Sequence, residues 1–239
     1  MNTTRSAPGA GAADGSGAFV VTFDGPAASG KSSVAQRVAL ALGVPFVSSG
    51  LLYRAATHLV TSRRVDPADE AAVLACLRSH AVELVPGVAA NRVGLDGVDV
   101  TYDLHTDAVD AVVSSIAAHP GVRHWVSAQL RRVPPPFAID GRDMGSVVFP
   151  DARHKFYLTA SPEERARRRV GERSADLSSV TAAIRRRDEG DARQLAPAAD
   201  AVHVDTDGRD LEQVVAHVLA RIRAAGDQAS VGAPSEAAS

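Results

Sequence analysis

Gly25-Pro26-Ala27-Ala28-Ser29-Gly30-Lys31-Ser32 follows the pattern G-x-x-x-x-G-K-[ST]. Each fixed position in that pattern has a chemical task. Gly25 and Gly30 allow backbone angles and a close approach that a side chain would block. The N–H groups of the loop then turn inward as an anion nest, reinforced by the positive end of a following helix. Lys31 brings a point charge to β- and γ-phosphates, and Ser32 a hydroxyl to a divalent cation. The residues placed at this donor site are Gly25, Pro26, Ala27, Ala28, Ser29, Gly30, Lys31, Ser32 and Ser33. A nucleoside triphosphate with Mg²⁺ is the ligand such a loop takes.

A second constellation is Asp140-Gly141-Arg142-Asp143-Met144-Gly145. A carboxylate such as Asp140, at the end of a buried strand, can hold Mg²⁺ through water, with Ser32 as its companion. Arg142 can pair with a phosphate, and Asp143 can accept from an exocyclic amine or a hydroxyl. Arg54, Arg123, Arg142, Arg169, Arg187 and Arg193 all fall in or beside loops or helix ends near the same cleft. Phosphoryl transfer asks for two phosphates held in line and for neutralised negative charge, a task suited to the planar guanidinium fork. The run from Arg165 to Asp188 is rich in arginine, but Glu163, Glu164, Glu172 and Asp176 are interleaved with it. Paired charges on solvated helix faces explain much of that pattern, and two such helices also make a lid.

The elements that must position these groups follow from the pattern. Phe19 to Phe23 is a short apolar, β-branched run that reads as a buried strand. Ser32 to Ala41 carries Val34 and Val38 on one helical face. Val44 to Val47 is a second strand, and Leu52 to Thr61 is helical. Asp66-Pro67-Ala68-Asp69 has the form of a helix start, with that helix running to about Ser79. Ala81 to Val85, Arg92 to Leu95 and Val98 to Val100 are three short strands, the last two joined by an Asp96-Gly97 hairpin turn. Two helices then surround Val109 to Ile116 and Val122 to Leu130. Phe137 to Asp140 and His154 to Leu158 are strands. Helices follow at about Pro162 to Glu172 and Ser178 to Asp188, then a strand at Ala201 to Val204 and a closing helix over Leu211 to Ile222.

Five core strands separated by helices imply an α/β fold, a parallel sheet covered on both faces. Its ligands sit at the carboxyl ends of the strands. The expected organisation is a single domain over 18–225. Its core is 18–48 and 119–225, its insert about 49–118 with the small antiparallel sheet, and its short helical lid about 166–190. Tails without fold are expected at 1–17 and 226–239.

Composition narrows the class. The chain has 239 residues, 45% of them hydrophobic, and a net charge of −2, which gives no global pull toward nucleic acid or anionic membrane. Aromatic residues are 4%, too few to supply stacking platforms for single-stranded RNA. Cys76 is the only cysteine, so no intrachain disulfide forms, and a reduced cytoplasmic setting is the default.

Taken together, these motifs resemble the bacterial-type cytidylate kinases, a branch of the nucleoside monophosphate kinases with a P-loop NTP-binding fold. The resemblance runs from about Phe19 to Arg223. It is carried by Asp24-Gly25-Pro26-Ala27 with Gly30-Lys31-Ser32, by Ser49-Gly50-Leu51-Leu52-Tyr53-Arg54, and by the block from Ser114 to Arg123. It continues through Asp140 to Pro150, Ser161 to Arg169, and Arg187-Asp188 with Asp191.

The resemblance implies conversion of ATP and CMP or dCMP to ADP and CDP or dCDP, with Mg²⁺. It implies that Ser49, Tyr53 and Arg54 line the monophosphate site, and that Arg54 and Arg142 hold the acceptor phosphate. Ser114, Arg123 and Asp143 would read the cytosine edge. Arg187 and Asp191 would lie near the ribose and phosphate, and Arg169 would face the transferring phosphoryl group. Lys31, Arg142, Arg169 and Arg187 are the catalytic set. The spacing Asp191-Ala192-Arg193 is one residue shorter than the family's D-x-x-R, where Arg193 would read the base. The expected partners are ATP and CMP or dCMP, with no nucleic acid or membrane, and the chain acting as a monomer. The alternatives are another P-loop small-molecule kinase, acting on a different nucleotide or a polyol acid, and an RNA-binding nucleotide switch.

Overall fold

The computed structural model describes residues 19–88, 90–170, 177–191 and 195–225. Five strands form one parallel sheet: β1 (Val20–Asp24), β2 (Phe46–Ser48), β6 (Phe137–Asp140), β7 (His154–Thr159) and β8 (Val202–Asp205), in the order β2-β6-β1-β7-β8. The register sets Phe23 beside Asp140 on one side and beside Phe156 on the other. The ends of β1 and β6, each followed by a predicted site loop, therefore emerge side by side.

Side-chain alternation sorts the core into two layers. Val21, Phe23, Ala138, Phe156 and Leu158 face α1 (Lys31–Leu42) and α8 (Leu211–Ala224). On the other face, Phe137 and Ile139 meet α2 (Ser49–Ser62), α3 (Glu70–Arg78) and α5 (Pro120–Leu130). A sheet buried on both faces needs strands that are apolar at nearly every position, and the fully buried Phe-Ala-Ile of β6 meets that need. The rings of Phe23 and Phe156 stack at 5.5 Å between centroids. Truncating either to alanine should cost about 3–5 kcal/mol of stability.

The insert follows its own logic. β3 (Val82–Val85), β4 (Arg92–Leu95) and β5 (Val98–Asp99) form an antiparallel sheet, and the turn between β4 and β5 places Asp96 at φ 50° and Gly97 at φ 81°. Both central residues of a two-residue hairpin turn need positive φ, which explains the Asp-Gly pair. Val93, Val100 and Leu104 carry this sheet onto Ala55 of α2.

Several local readings are corrected. The helix expected from Asp66-Pro67 begins later, at Glu70. Asp69 is its cap and accepts from the Ala72 N–H at 3.0 Å, while Asp66 closes a tight turn by accepting from Ala68 at 2.9 Å. Two carboxylates three residues apart offered the same cap signal, and only one could take it. The helix expected from Leu52 begins at Ser49, because Ser48 is already extended and Ser49 enters the first turn. α4 (Asp107–Ala118) ends at the His119-Pro120 pair, and Pro120 also opens α5. Proline at a first helical position lacks only an N–H that has no partner there. Thr101–His105 forms a 3-10 turn and Met144–Val148 a π-helical turn, neither signalled by a period. The expected tails, lid residues 171–176 and Arg193 lie outside the described residues.

Candidate active site

The donor loop is shaped by backbone geometry. Gly25 has φ 144°, and a Cβ there would overlap the carbonyl oxygen of Leu158, so only glycine fits. Gly30, at φ 86°, caps α1 without a side-chain hydrogen bond, and the first turn of α1 holds no acidic residue. The helix thus opens on bare N–H groups with Lys31 at its first position. A cation there opposes the helix dipole and becomes favourable once an anion is bound. Lys31 Nζ donates to the Pro26 carbonyl at 3.0 Å. Ala27, Ala28, Gly30, Lys31, Ser32, Ser33, Arg142, Arg168 and Arg169 line a cavity of about 620 Å³. This volume is within the usual range for a small-molecule site.

Ser32, on the cavity wall, meets Asp140 behind it. Ser32 Oγ donates to Asp140 Oδ2, while Asp140 Oδ1 is buried and accepts no hydrogen bond. An orphaned carboxylate oxygen beside a hydroxyl suits a hard cation held through water. Among the described residues no three or more His, Cys, Asp or Glu side chains are grouped so that they could hold a metal ion. A cation here would draw its remaining ligands from water and phosphate.

The acceptor-side residues come from four separate elements. Arg123, in the first turn of α5, forms an ion pair with Asp143, and its guanidinium carbon lies 6.0 Å from the ring centroid of Tyr53 on α2. Burial pushes the Tyr53 hydroxyl up to about 12, against the pull of the Arg123 charge, so it is a neutral donor at every working pH. Arg54, next on α2, donates to the Leu104 carbonyl at 2.8 Å and pairs with Asp110 of α4 at 2.6 Å. Ser49 is buried at the start of α2, and Ser114 is exposed on α4, one turn beyond Asp110. The structure gathers Tyr53, Arg123, Asp143 and Arg142 into one charged cluster, while Arg54 turns to Leu104 and Asp110. The side chains of Arg187 and Asp191, in α7 (Leu177–Asp191), lie outside the described residues, as does Arg193.

One residue fastens the two halves. Asp24, at the end of β1, accepts from the Met144 N–H at 2.8 Å and the Gly145 N–H at 2.7 Å. It thereby fixes the Arg142-Asp143 segment against the strand that leads into the phosphate loop. Burial pushes the Asp24 carboxyl up to about 6, while the two N–H groups and the Lys31 charge pull it down. In the sequence Asp24 is only the residue before a glycine motif, and nothing in its spacing marks it as a tie.

Arg168 was missed too. Its guanidinium donates to Thr206 Oγ1 at 3.0 Å and to the Thr206 carbonyl at 2.8 Å, which brings the loop after β8 to the cavity. It also stands four residues after Glu164 and pairs with it at 3.2 Å, so the sequence makes it look like an ordinary helix-surface pair.

Known proteins similar to this chain point to one family. The family model described as Cytidylate kinase matches residues 21–224. A cytidylate kinase of Thermus thermophilus is 58% identical over 204 residues, which cover 85% of this chain and 98% of the relative. Those of Deinococcus radiodurans and Roseiflexus castenholzii are 54% and 41% identical, each over 85% of this chain and over 99% and 93% of the relative. No helix among the described residues is long and apolar enough to cross a membrane.

Proposed function

The chain belongs to the cytidylate kinase family, and from that premise we propose that it transfers the γ-phosphoryl group of MgATP to CMP and dCMP, giving ADP and CDP or dCDP. The observation that carries the reading is the adjacency of two dissimilar sites at one sheet edge. A backbone-lined phosphate loop and an arginine–carboxylate cluster are held together by Asp24.

In this reading ATP lies in the cavity with its phosphates against the N–H groups of Gly25 to Ser33. An oxygen of the CMP phosphate attacks the γ-phosphorus, a new P–O bond forms, and the bond to the β-bridging oxygen breaks to release ADP. The attacking group is already anionic, so no strong general base is required. What the protein supplies is alignment and charge.

Lys31, Arg142 and Arg169 all line the cavity. With Arg187, they would stabilise the charge that spreads over the γ-phosphoryl oxygens. Ser32 and Asp140 would hold Mg²⁺ through water, and the bound cation would neutralise the phosphate chain. Arg54 and Arg142 would grip the acceptor phosphate, with Ser49 and Tyr53 beside it. Ser114, Arg123 and Asp143 would meet the cytosine edge, and Arg187, Asp191 and Arg193 would approach the ribose and base. Closure of the insert (about 49–118) and of the lid (about 166–190) would keep water from the γ-phosphorus. The reading calls on no residue of a second copy, so a monomer suffices for it.

The test is a panel of nucleoside monophosphates with ATP and Mg²⁺, read by ADP release. CMP and dCMP should be consumed. Phosphorylation of AMP or UMP with none of CMP would reject the assignment.

A further inference from the structure

Arg165, in α6 (Pro162–Val170), takes no part in the reaction described above, yet its side chain is only 4% exposed. A guanidinium cannot be neutralised in a protein, so a buried one must find acceptors. Arg165 Nε donates to the Ala160 carbonyl at 3.1 Å. Its Nη1 donates to the Ala27 carbonyl at 3.2 Å and to Asp188 Oδ1 at 3.0 Å, and its Nη2 to Asp188 Oδ2 at 2.5 Å. These acceptors belong to the segment after β7, to the phosphate loop and to α7.

We propose that Arg165 is a positioning residue that couples the phosphate loop to α7, so that a triphosphate in the loop sets the place of the helix carrying Arg187 and Asp191. This rests on the reading of the loop as the ATP site. Lys31 holds the Pro26 carbonyl, and a triphosphate competes for the same ammonium. When Lys31 turns to phosphate, the Pro26 carbonyl keeps only the Ser29 N–H, at 3.4 Å, and the next carbonyl along the chain is the one that Arg165 grips. Ala28 already sits at φ 62°, a left-handed conformation rare for a residue with a side chain, so the loop has little freedom to absorb the change there.

The change passes instead to the guanidinium. Its two parallel bonds to Asp188 form a planar fork, and a fork that rotates carries the carboxylate with it. Asp188 is the neighbour of Arg187 in the helix. A second ion pair among the described residues of these two helices, Arg185 with Glu163 at 2.6 Å, is more than half exposed on both sides, and solvent screens it. Of the two pairs, the one made by Arg165 is the buried one.

The experiment is CMP binding by calorimetry, with and without a saturating non-hydrolysable ATP analogue and Mg²⁺. In the wild type the analogue should tighten CMP about fivefold or more, and CMP should tighten the analogue by the same factor. Asp188→Asn should bring that factor to about one while the analogue's own Kd changes by less than about twofold, a split that a merely structural role would not produce. A lone buried Arg165 could unfold that variant. The pair Arg165→Met with Asp188→Leu removes both charges at similar volume and should lose the coupling while staying folded. A folded variant that keeps the wild-type factor overturns the proposal, as does a wild type that binds both nucleotides independently. A wild type that binds the analogue but not CMP overturns the acceptor assignment as well.

Discussion

The half of the cleft proposed for the donor and the half proposed for the acceptor are built by opposite means. The donor loop relies on main-chain geometry: Gly25 wedged against Leu158, Gly30 opening α1, and N–H groups within one short stretch. The acceptor half relies on side chains from α2, α4, α5 and the turn after β6, arranged as ion pairs among themselves, Arg123 with Asp143 and Arg54 with Asp110. A triphosphate presents much the same chemistry whatever base it carries, so a fixed backbone nest serves it. A particular pyrimidine must be told from its relatives, which takes donors and acceptors that can be exchanged one by one. The halves should therefore fail differently when broken.

The largest effect is expected on the donor side. Lys31→Ala should lower kcat by at least ~10³-fold, equally for CMP and dCMP, because the charge lost is independent of the acceptor. Acceptor panels run on the purified variant would check this, and a loss confined to one acceptor would contradict it.

Next come the adjacent residues Arg142 and Asp143, which divide the two halves at one peptide bond. Arg142→Ala should depress turnover on every acceptor, by about 10²-fold. Asp143→Ala should mainly erode the preference for cytosine over uracil, by about tenfold. Equal, acceptor-independent losses in the two variants would remove the base-reading role.

Asp24 joins the halves, and its titration offers a third test. Its carboxyl is pushed from 3.8 up to about 6 by burial. Below that value a proton occupies an oxygen that faces an N–H group, so kcat/KM should fall severalfold between pH 7 and pH 5 as the tie loosens. Stability should move the other way. Between pH 4 and 6 the folded chain holds a proton that the unfolded chain has released, so this group alone lowers stability by about 3 kcal/mol as pH rises through that window, with no change above it. Denaturant midpoints and rates measured over the same pH range would check the crossing trends, and Asp24→Asn should flatten both.

The smallest effect belongs to the outer acceptor pair. Asp110 neutralises one arm of Arg54, so Asp110→Asn should lower the KM for CMP about threefold and leave the KM for ATP unchanged, as expected for a half-exposed pair worth under ~1 kcal/mol. Initial-rate kinetics with each nucleotide varied in turn would separate the two constants.

The same division explains what the sequence made legible. The phosphate loop lies in one stretch, with glycines whose necessity is local, and it was readable along with β1, β2, β6 and β7, whose apolar runs reflect burial on both faces. Arg142 and Asp143 were readable as a charged turn at a strand end. The partners of the acceptor arginines were not, because Arg54 and Asp110 stand 56 residues apart and no period connects them. Asp24, Arg165 and Arg168 escaped for a related reason. Each acts on a backbone or a side chain in a distant element, and each has a local context, a strand end or an acidic–basic helix, that explains it without a role. The π-helical turn at Met144–Val148 was equally silent, since its anchor is the Asp24 carboxylate rather than its own sequence.

The central claim is that one phosphoryl group passes directly between two nucleotides in this cleft. It is tested most directly by following ATP labelled at the γ-phosphate in the presence of Mg²⁺ and CMP. The label should appear in the β-phosphate of CDP, in step with ADP, and little of it in inorganic phosphate. Label released to inorganic phosphate at the same rate with and without CMP would contradict the account.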